Sequence, residues 1–270
     1  MAFKEATMVL RGDFSSKVLS MSTNIQVFAP DSGSGPYRIV YLLHGMHGNQ
    51  GTWLDNTMLP VFAKNYNAIF VMPEVNRSFY LNLKYGRKYY TYVSEELPQV
   101  CRKFFNISDK REDTAVMGCS MGGFGSLYLA LSKTEQYSFC GAISSACLST
   151  KHILEAIRNH PGGPWPQSIP DADEIVSDLK SFYGEDLEYN YDYDMLERVK
   201  KFPAGKQKPV VYAACGLEDD LRPDSLSLCK VMKDTDFDFT YEEWTGDHDW
   251  QFFNDALIKS IDLWYKRIEK

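Results

Sequence analysis

The chain has 270 residues, 44% of them hydrophobic and 14% aromatic, enough for one large core and unlike a disordered or low-complexity chain. Lys and Arg number 29 against 36 Asp and Glu, a net charge of −7 without a basic block, which excludes nucleic acid as an expected partner. No apolar run reaches membrane-spanning length, and Lys4, Glu5 and Thr7 interrupt any signal-peptide core, so no membrane partner is expected and the chain reads as cytoplasmic.

In chain order, two early strands near Thr7–Arg11 and Val18–Ala29, separated by Gly12-Asp13, read as an antiparallel start. The pattern then changes to apolar runs at Arg38–Leu43, Ala68–Met72, Thr114–Met117, Phe139–Ile143, Pro209–Ala214 and Phe237–Tyr241. Most of these are continuous, as in strands buried on both faces of a parallel sheet. Helices are expected near Tyr89–Phe105, Phe124–Leu131, Asp224–Met232 and Asp249–Ile268. The alternation predicts an α/β fold with a mostly parallel central sheet and helices on both faces, in a single domain over residues 1–270. About sixty residues, 149–207, break this rhythm with amphipathic stretches at Lys151–Ile157 and Ile175–Phe182 and no convincing strand. They read as an insertion following a strand's carboxyl end, where open α/β sheets bind ligands, and therefore as a small lid. The six cysteines are scattered without C-x-x-C spacing and are expected to be buried thiols.

The chemistry is concentrated in Gly118-Cys119-Ser120-Met121-Gly122-Gly123, a G-x-S-x-G pattern between an apolar strand and a helix-forming segment. Such a turn presents a serine as nucleophile, although a glycine-rich helix start with Ser120 as a cap has the same local pattern. A serine nucleophile needs a base, and the base needs an acid to hold its tautomer. His248 stands in the polar segment Gly246-Asp-His-Asp249, and Asp219 or Asp220 follows the strand Pro209–Ala214. The order Ser, Asp, His is that of α/β-hydrolases. His44-Gly45-Met46 reads as the loop that supplies one backbone N–H of an oxyanion hole, with Met121 N–H as the second donor. His44 and His47 have a spacing that suggests a metal pair, but no further cluster completes a site, and no metal is expected. Trp165, in a Gly/Pro-rich part of the insertion, and Phe79, after the strand at Ala68–Met72, are candidates to line the substrate crevice with Gly45.

Leu42-Leu-His-Gly-Met-His-Gly-Asn49, Val71-Met-Pro-Glu-Val-Asn76, Tyr85-Gly-Arg-Lys-Tyr-Tyr90, the Ser120 hexapeptide and Gly246-Asp-His-Asp-Trp250 resemble the esterase D branch of α/β-hydrolases, particularly its tributyrin and feruloyl esterases. The resemblance spans nearly the whole chain and is weakest over 149–207. It implies the α/β-hydrolase fold and an acyl-serine mechanism, without a cofactor, on short acyl or hydroxycinnamoyl esters, including those of plant carbohydrates. It also selects Asp219 as the acid, from the C-G-x-x-D-x-L pattern at Cys215–Leu221, and maps the oxyanion donors onto Met46 and Met121. S-formylglutathione hydrolases of the same branch carry G-L-T-C where this chain has Gly45-Met-His-Gly48, which makes the thioesterase reading second. An acyltransferase using the same triad and a non-catalytic binding module on the same fold are the rival classes. The partner expected is a small-molecule ester, and a homo-oligomer is compatible with the sequence.

Overall fold

The computed structural model describes residues 8–30, 35–159 and 172–268. An eight-stranded sheet runs in the order β1-β2-β4-β3-β5-β6-β7-β8. β1 (Met8–Ser16) and β2 (Met21–Ala29) form an antiparallel hairpin, and β2 pairs antiparallel with β4 (Ala68–Pro73). From β4 onward the pairing is parallel through β3 (Arg38–Leu43), β5 (Thr114–Cys119), β6 (Phe139–Ile143), β7 (Val210–Gly216) and β8 (Phe239–Trp244). This is the mostly parallel sheet expected from the apolar runs.

Those runs are continuous because neighbouring residues serve opposite layers. Ile39, Tyr41 and Leu43 of β3 join one buried cluster, while Val40 and Leu42 join the other. Val211 and Ala213 of β7 divide from Tyr212 and Ala214 in the same way. On the second face lie α1 (Thr52–Asn56), α2 (Leu59–Phe62) and α10 (Trp250–Ile268). The first face is covered by α3 (Tyr89–Thr91), which passes through a π turn at Tyr92–Glu96 into α4 (Leu97–Phe104), and by α5 (Met121–Ser132) and α9 (Arg222–Lys233). Every residue of α5 from Met121 to Leu131 is buried, so this helix has no solvent face to make it amphipathic.

The insertion supplies α6 (Thr150–Asn159), α7 (Ala172–Tyr183) and α8 (Met195–Lys200), with no strand among its described residues. Among the described residues no helix is long and apolar enough to cross a membrane.

The structure corrects the first hairpin. Gly12 and Asp13 lie inside β1, opposite Ile25 and Asn24, and the turn is at residues 17–20. A distant carboxylate makes this turn: Glu96 accepts from Lys17 N–H at 2.7 Å and from the Ser16 hydroxyl, while Ser16 Oγ accepts from Leu19 N–H at 2.9 Å. The local sequence carries no sign of a partner eighty residues away.

Candidate active site

The elbow is built by backbone crowding. β5 ends at Cys119 and α5 begins at Met121, so Ser120 alone makes the reversal, at φ 56° and ψ −121°. That conformation is strained for a side chain with a Cβ and is held by fixed partners. Ser120 N–H donates to Ile143 O at 2.9 Å, and Ser120 O accepts from Gly123 N–H at 3.0 Å and Ala146 N–H at 3.2 Å. A Cβ on Gly118 would lie 2.6 Å from Gly122 O, and one on Gly122 would run into Leu43 O. Glycine is therefore required where the elbow folds on itself and against the end of β3. Cys119 is buried, and burial pushes its thiol well above the usual range, away from thiolate chemistry.

The close approach to β3 brings the next loop to the serine. A Cβ built on Gly45 would lie 3.4 Å from Ser120 Cβ. Gly48 N–H donates to Gly45 O at 3.0 Å, closing a tight turn around Met46. His44, 1% exposed, holds this turn from below: its Nδ1 bonds Gly45 O at 2.8 Å, and Nε2 accepts from Val75 N–H at 3.3 Å. Those partners require the neutral Nδ1–H tautomer. Burial lowers the His44 pKa and outweighs Glu74, whose carboxylate is 3.7 Å from Nε2. His44 is thus a structural hydrogen bonder. Among the described residues no group of three or more His, Cys, Asp or Glu is placed to hold a metal.

Asp219, in the segment after β7, meets His248, in the segment between β8 and α10. The Asp219 side chain is fully buried, with Oδ2 2.9 Å from His248 Nδ1 and Oδ1 accepting from Leu221 N–H at 2.8 Å. Burial alone would raise its pKa, but the His248 hydrogen bond and charge, the Leu221 N–H and the Ser144 hydroxyl together hold it below the ordinary carboxylate range. Asp220 is exposed. The two loops are fastened by backbone, with Leu217 N–H donating to Trp244 O at 3.0 Å and Glu218 N–H to Gly246 O at 3.1 Å, and Gly246 N–H donates in turn to Glu218 Oε2 at 2.6 Å. A Cβ on Gly216 would collide with Gly246 O. Phe253 stands edge-on to His248 at 5.0 Å, and Trp250 packs at 5.3 Å on Trp53, whose Nε1–H donates to Leu43 O at 2.9 Å.

Ser144 is a member of this cluster that sequence reasoning missed. It follows β6 at φ 43°, its N–H donates to Ala214 O at 2.7 Å, and it is fully buried. Its hydroxyl lies outside hydrogen-bond distance of any described group, and it stands near Asp219 and near Cys215, whose thiol burial pushes up to about 11. A serine ending a strand has no local mark of such a role; only the pairing of β6 with β7 places it there.

A cavity of about 670 Å³ opens beside Met46, lined by Asn49, Glu74, Asn76, Leu83 and Tyr89 among others. Its far wall is the ion pair of Arg77 Nε with Asp178 Oδ2 at 2.7 Å, which ties α7 to the segment after β4. A concavity of about 720 Å³ between β8 and α10 has none of the candidate catalytic residues in its lining. Phe79 departs from expectation: it is 2% exposed and packs against Phe124 at 5.7 Å and Phe182 at 5.8 Å. It joins the elbow helix to the insertion instead of lining the crevice, because its left-handed backbone (φ 52°) accompanies an inward-packed ring. Trp165 lies outside the described residues.

Similarity to known proteins agrees with this geometry. A family model described as "Putative esterase" matches residues 16–262. An acetyl esterase of Caldicellulosiruptor saccharolyticus is 29% identical, with 96% of this chain and 98% of the relative covered. Among solved structures, the fluorophosphonate-binding serine hydrolase FphF of Staphylococcus aureus superposes with a TM-score of 0.76 at 25% identity, covering 96% of this chain and 98% of that one. An S-formylglutathione hydrolase of Agrobacterium tumefaciens shares the fold, with a TM-score of 0.79 at 20% identity over 99% and 97% of the two chains.

Proposed function

Because this chain belongs to the esterase family whose model spans residues 16–262, we propose that its carboxylic-ester hydrolysis runs through Ser120 as nucleophile, His248 as base and Asp219 as acid. Asp219 occupies His248 Nδ1, leaving Nε2 to take the Ser120 proton as the hydroxyl oxygen attacks the ester carbonyl. The imidazolium formed is stabilised by a carboxylate that stays ionised. Negative charge developing on the carbonyl oxygen is received by the N–H groups of Met46 and Met121. Met121 is the first residue of α5, where a helix has N–H groups without intrahelical acceptors. The tetrahedral intermediate collapses, His248 returns the proton to the departing alcohol, and an acyl-serine remains. Water repeats the sequence to release the acid.

The single observation that carries this reading is the pairing of the buried Asp219 carboxylate with His248, 2.9 Å apart, in a chain whose Ser120 is held at a strained strand-to-helix turn. The substrate we propose is a short-chain acyl or hydroxycinnamoyl ester. The acetyl esterase relative supports the short acyl group, and the polar lining supplied by Asn49, Glu74 and Asn76 suits a hydroxylated substrate such as an acylated carbohydrate. A panel of acetyl, butyryl and feruloyl esters with S-formylglutathione tests it. Oxygen esters should be turned over with the higher kcat/KM, and a preference for the thioester would overturn the substrate assignment. An alkyl phosphonate should label Ser120 and stop turnover; continued hydrolysis after labelling would overturn the site.

A further inference from the structure

The sheet ends on one side at β1, and this edge is open. β1 pairs with β2 without a bulge from Met8 opposite Ala29 to Ser16 opposite Met21, and among the described residues no other strand reaches it. Proteins usually blunt an edge of this length with proline, lysine, bulges or brevity, and β1 has none of these. The other edge, β8, is six residues long and carries Glu242 and Glu243, paired with Lys259 at 3.1 Å and Arg222 at 3.0 Å. The β1–β2 hairpin also exposes Met8, Val9, Leu10 and Met21, four of the ten large apolar side chains exposed among the described residues.

We propose that β1 pairs antiparallel with β1 of a second copy of this chain, about a twofold axis at Gly12. When a strand pairs with its own copy, outward-facing backbone groups must meet outward-facing groups, so the axis passes through a residue position. With the axis at Gly12, Arg11 stands opposite the partner's Asp13, and Asp13 opposite the partner's Arg11. Leu10 then faces the partner's Phe14 on the other side of the sheet. Moving the axis one residue sets Arg11 against the partner's Arg11, or Asp13 against the partner's Asp13. Opposite charges directly across a ladder stabilise it and like charges destabilise it, so β1 is complementary to itself in this register and not in its neighbours.

Arg11 and Asp13 are available, and Phe14, half-buried against Tyr92, presents the rest of its ring to Leu10 of the second copy. Arg11 makes an ion pair with Asp55 at 2.7 Å, but the two side chains remain 55% and 51% exposed, and a guanidinium has donors for a second carboxylate. Asp13 Oδ2 accepts from the Ser22 hydroxyl at 2.8 Å, leaving Oδ1 for a guanidinium. Gly12, without a side chain, leaves room at the axis for the two Leu10–Phe14 pairs.

Sedimentation velocity on the full chain tests the proposal. The wild type should be a dimer at micromolar concentration. Arg11→Asp and Asp13→Arg should each weaken it at least about tenfold, and the combined exchange should restore it to within about threefold. Gly12→Cys should cross-link under mild oxidation, because paired Cα atoms across such a ladder lie about 4.5–5.5 Å apart. The six native cysteines are all buried and do not compete. Ester hydrolysis should stay at the wild-type rate in every variant, which separates loss of pairing from loss of fold. A monomeric wild type, a dimer indifferent to both single charge reversals, or a Gly12→Cys dimer that does not link would overturn the proposal.

Discussion

The elbow around Ser120 and the inserted segment, joined through Phe79 between Phe124 and Phe182, are held by different forces. The elbow is fixed through main chain: Ser120 N–H on Ile143 O, three N–H groups on Ser120 O, and glycines where a Cβ would strike backbone. The insertion has two main-chain ties, Lys84 N–H to Ser181 O at 2.9 Å and Met195 N–H to Leu148 O at 3.1 Å, and leans otherwise on side chains: the ring cluster of Phe182, Tyr183 and Tyr193 with Tyr128, the buried Asp194 accepting from Lys151 N–H at 3.2 Å, and the Arg77–Asp178 pair. Backbone contacts tolerate almost no change of position, and a reacting serine needs such constancy. Side-chain contacts can be exchanged while the chain path is kept. Changes at the elbow and its acid–base pair should therefore fall on kcat, and changes where the insertion meets the crevice on KM.

The sharpest way to break this division is at the serine itself. Ser120→Ala should lower kcat by about 10⁵–10⁶-fold, since removing the nucleophile disables the whole set. Cys119→Ala, one residue earlier with a buried thiol, should retain most of the activity. Substantial steady-state ester hydrolysis by Ser120→Ala would dissolve the contrast. Next in size, Asp219→Asn should cost about 10⁴-fold in kcat, by offering His248 the wrong hydrogen-bonding partner. Asp220→Asn, on an exposed side chain, should stay within about threefold. The reverse ranking would move the acid by one residue.

The same carboxylate gives a smaller effect on stability. Asp219 titrates below its ordinary value in the folded chain, so its contribution is complete above the unfolded pKa of about 3.9 and is lost as pH falls through the lower folded value. Urea midpoints measured from about pH 7 to about pH 2 should fall more steeply for the wild type than for Asp219→Asn in the acid range, bringing the two curves together. Parallel curves would mean that burial cancels the His248 bond and that the carboxylate is not depressed.

Sequence made the main-chain half of this comparison largely legible. Apolar runs located the parallel strands, because each must fill two core layers, and the glycine spacing located the elbow, because contacts with Gly122 O and Leu43 O leave no space for a Cβ. Asp219 could be separated from Asp220 only through a resemblance; composition gives the two the same standing until the turn buries one and exposes the other. Long-range side chains were not legible. Glu96 moved the first hairpin turn away from Gly12, Ser144 reached Asp219 through strand pairing, and Phe79 turned inward to Phe124 and Phe182. In each case the deciding partner is dozens of residues away, and no local pattern encodes it.

The smallest expected effect tests the side-chain half most directly. Arg77 and Asp178 join the segment after β4 to α7 at the wall of the cavity, with side chains 29% and 21% exposed. A partly exposed pair contributes little to global stability, so Arg77→Ala and Asp178→Ala should each shift the melting temperature by no more than a few degrees, roughly 1 kcal/mol or less. Its position matters more than its strength, because releasing it loosens one wall of the proposed substrate cavity while the elbow remains fastened to Ile143 and Leu43. KM for a bulky feruloyl ester should rise by about three- to tenfold, with kcat within about twofold, while acetyl ester kinetics stay near wild type. An equal loss of kcat on both substrates would show that the insertion helps to set the catalytic geometry, and the two regions would then act as one mechanical unit.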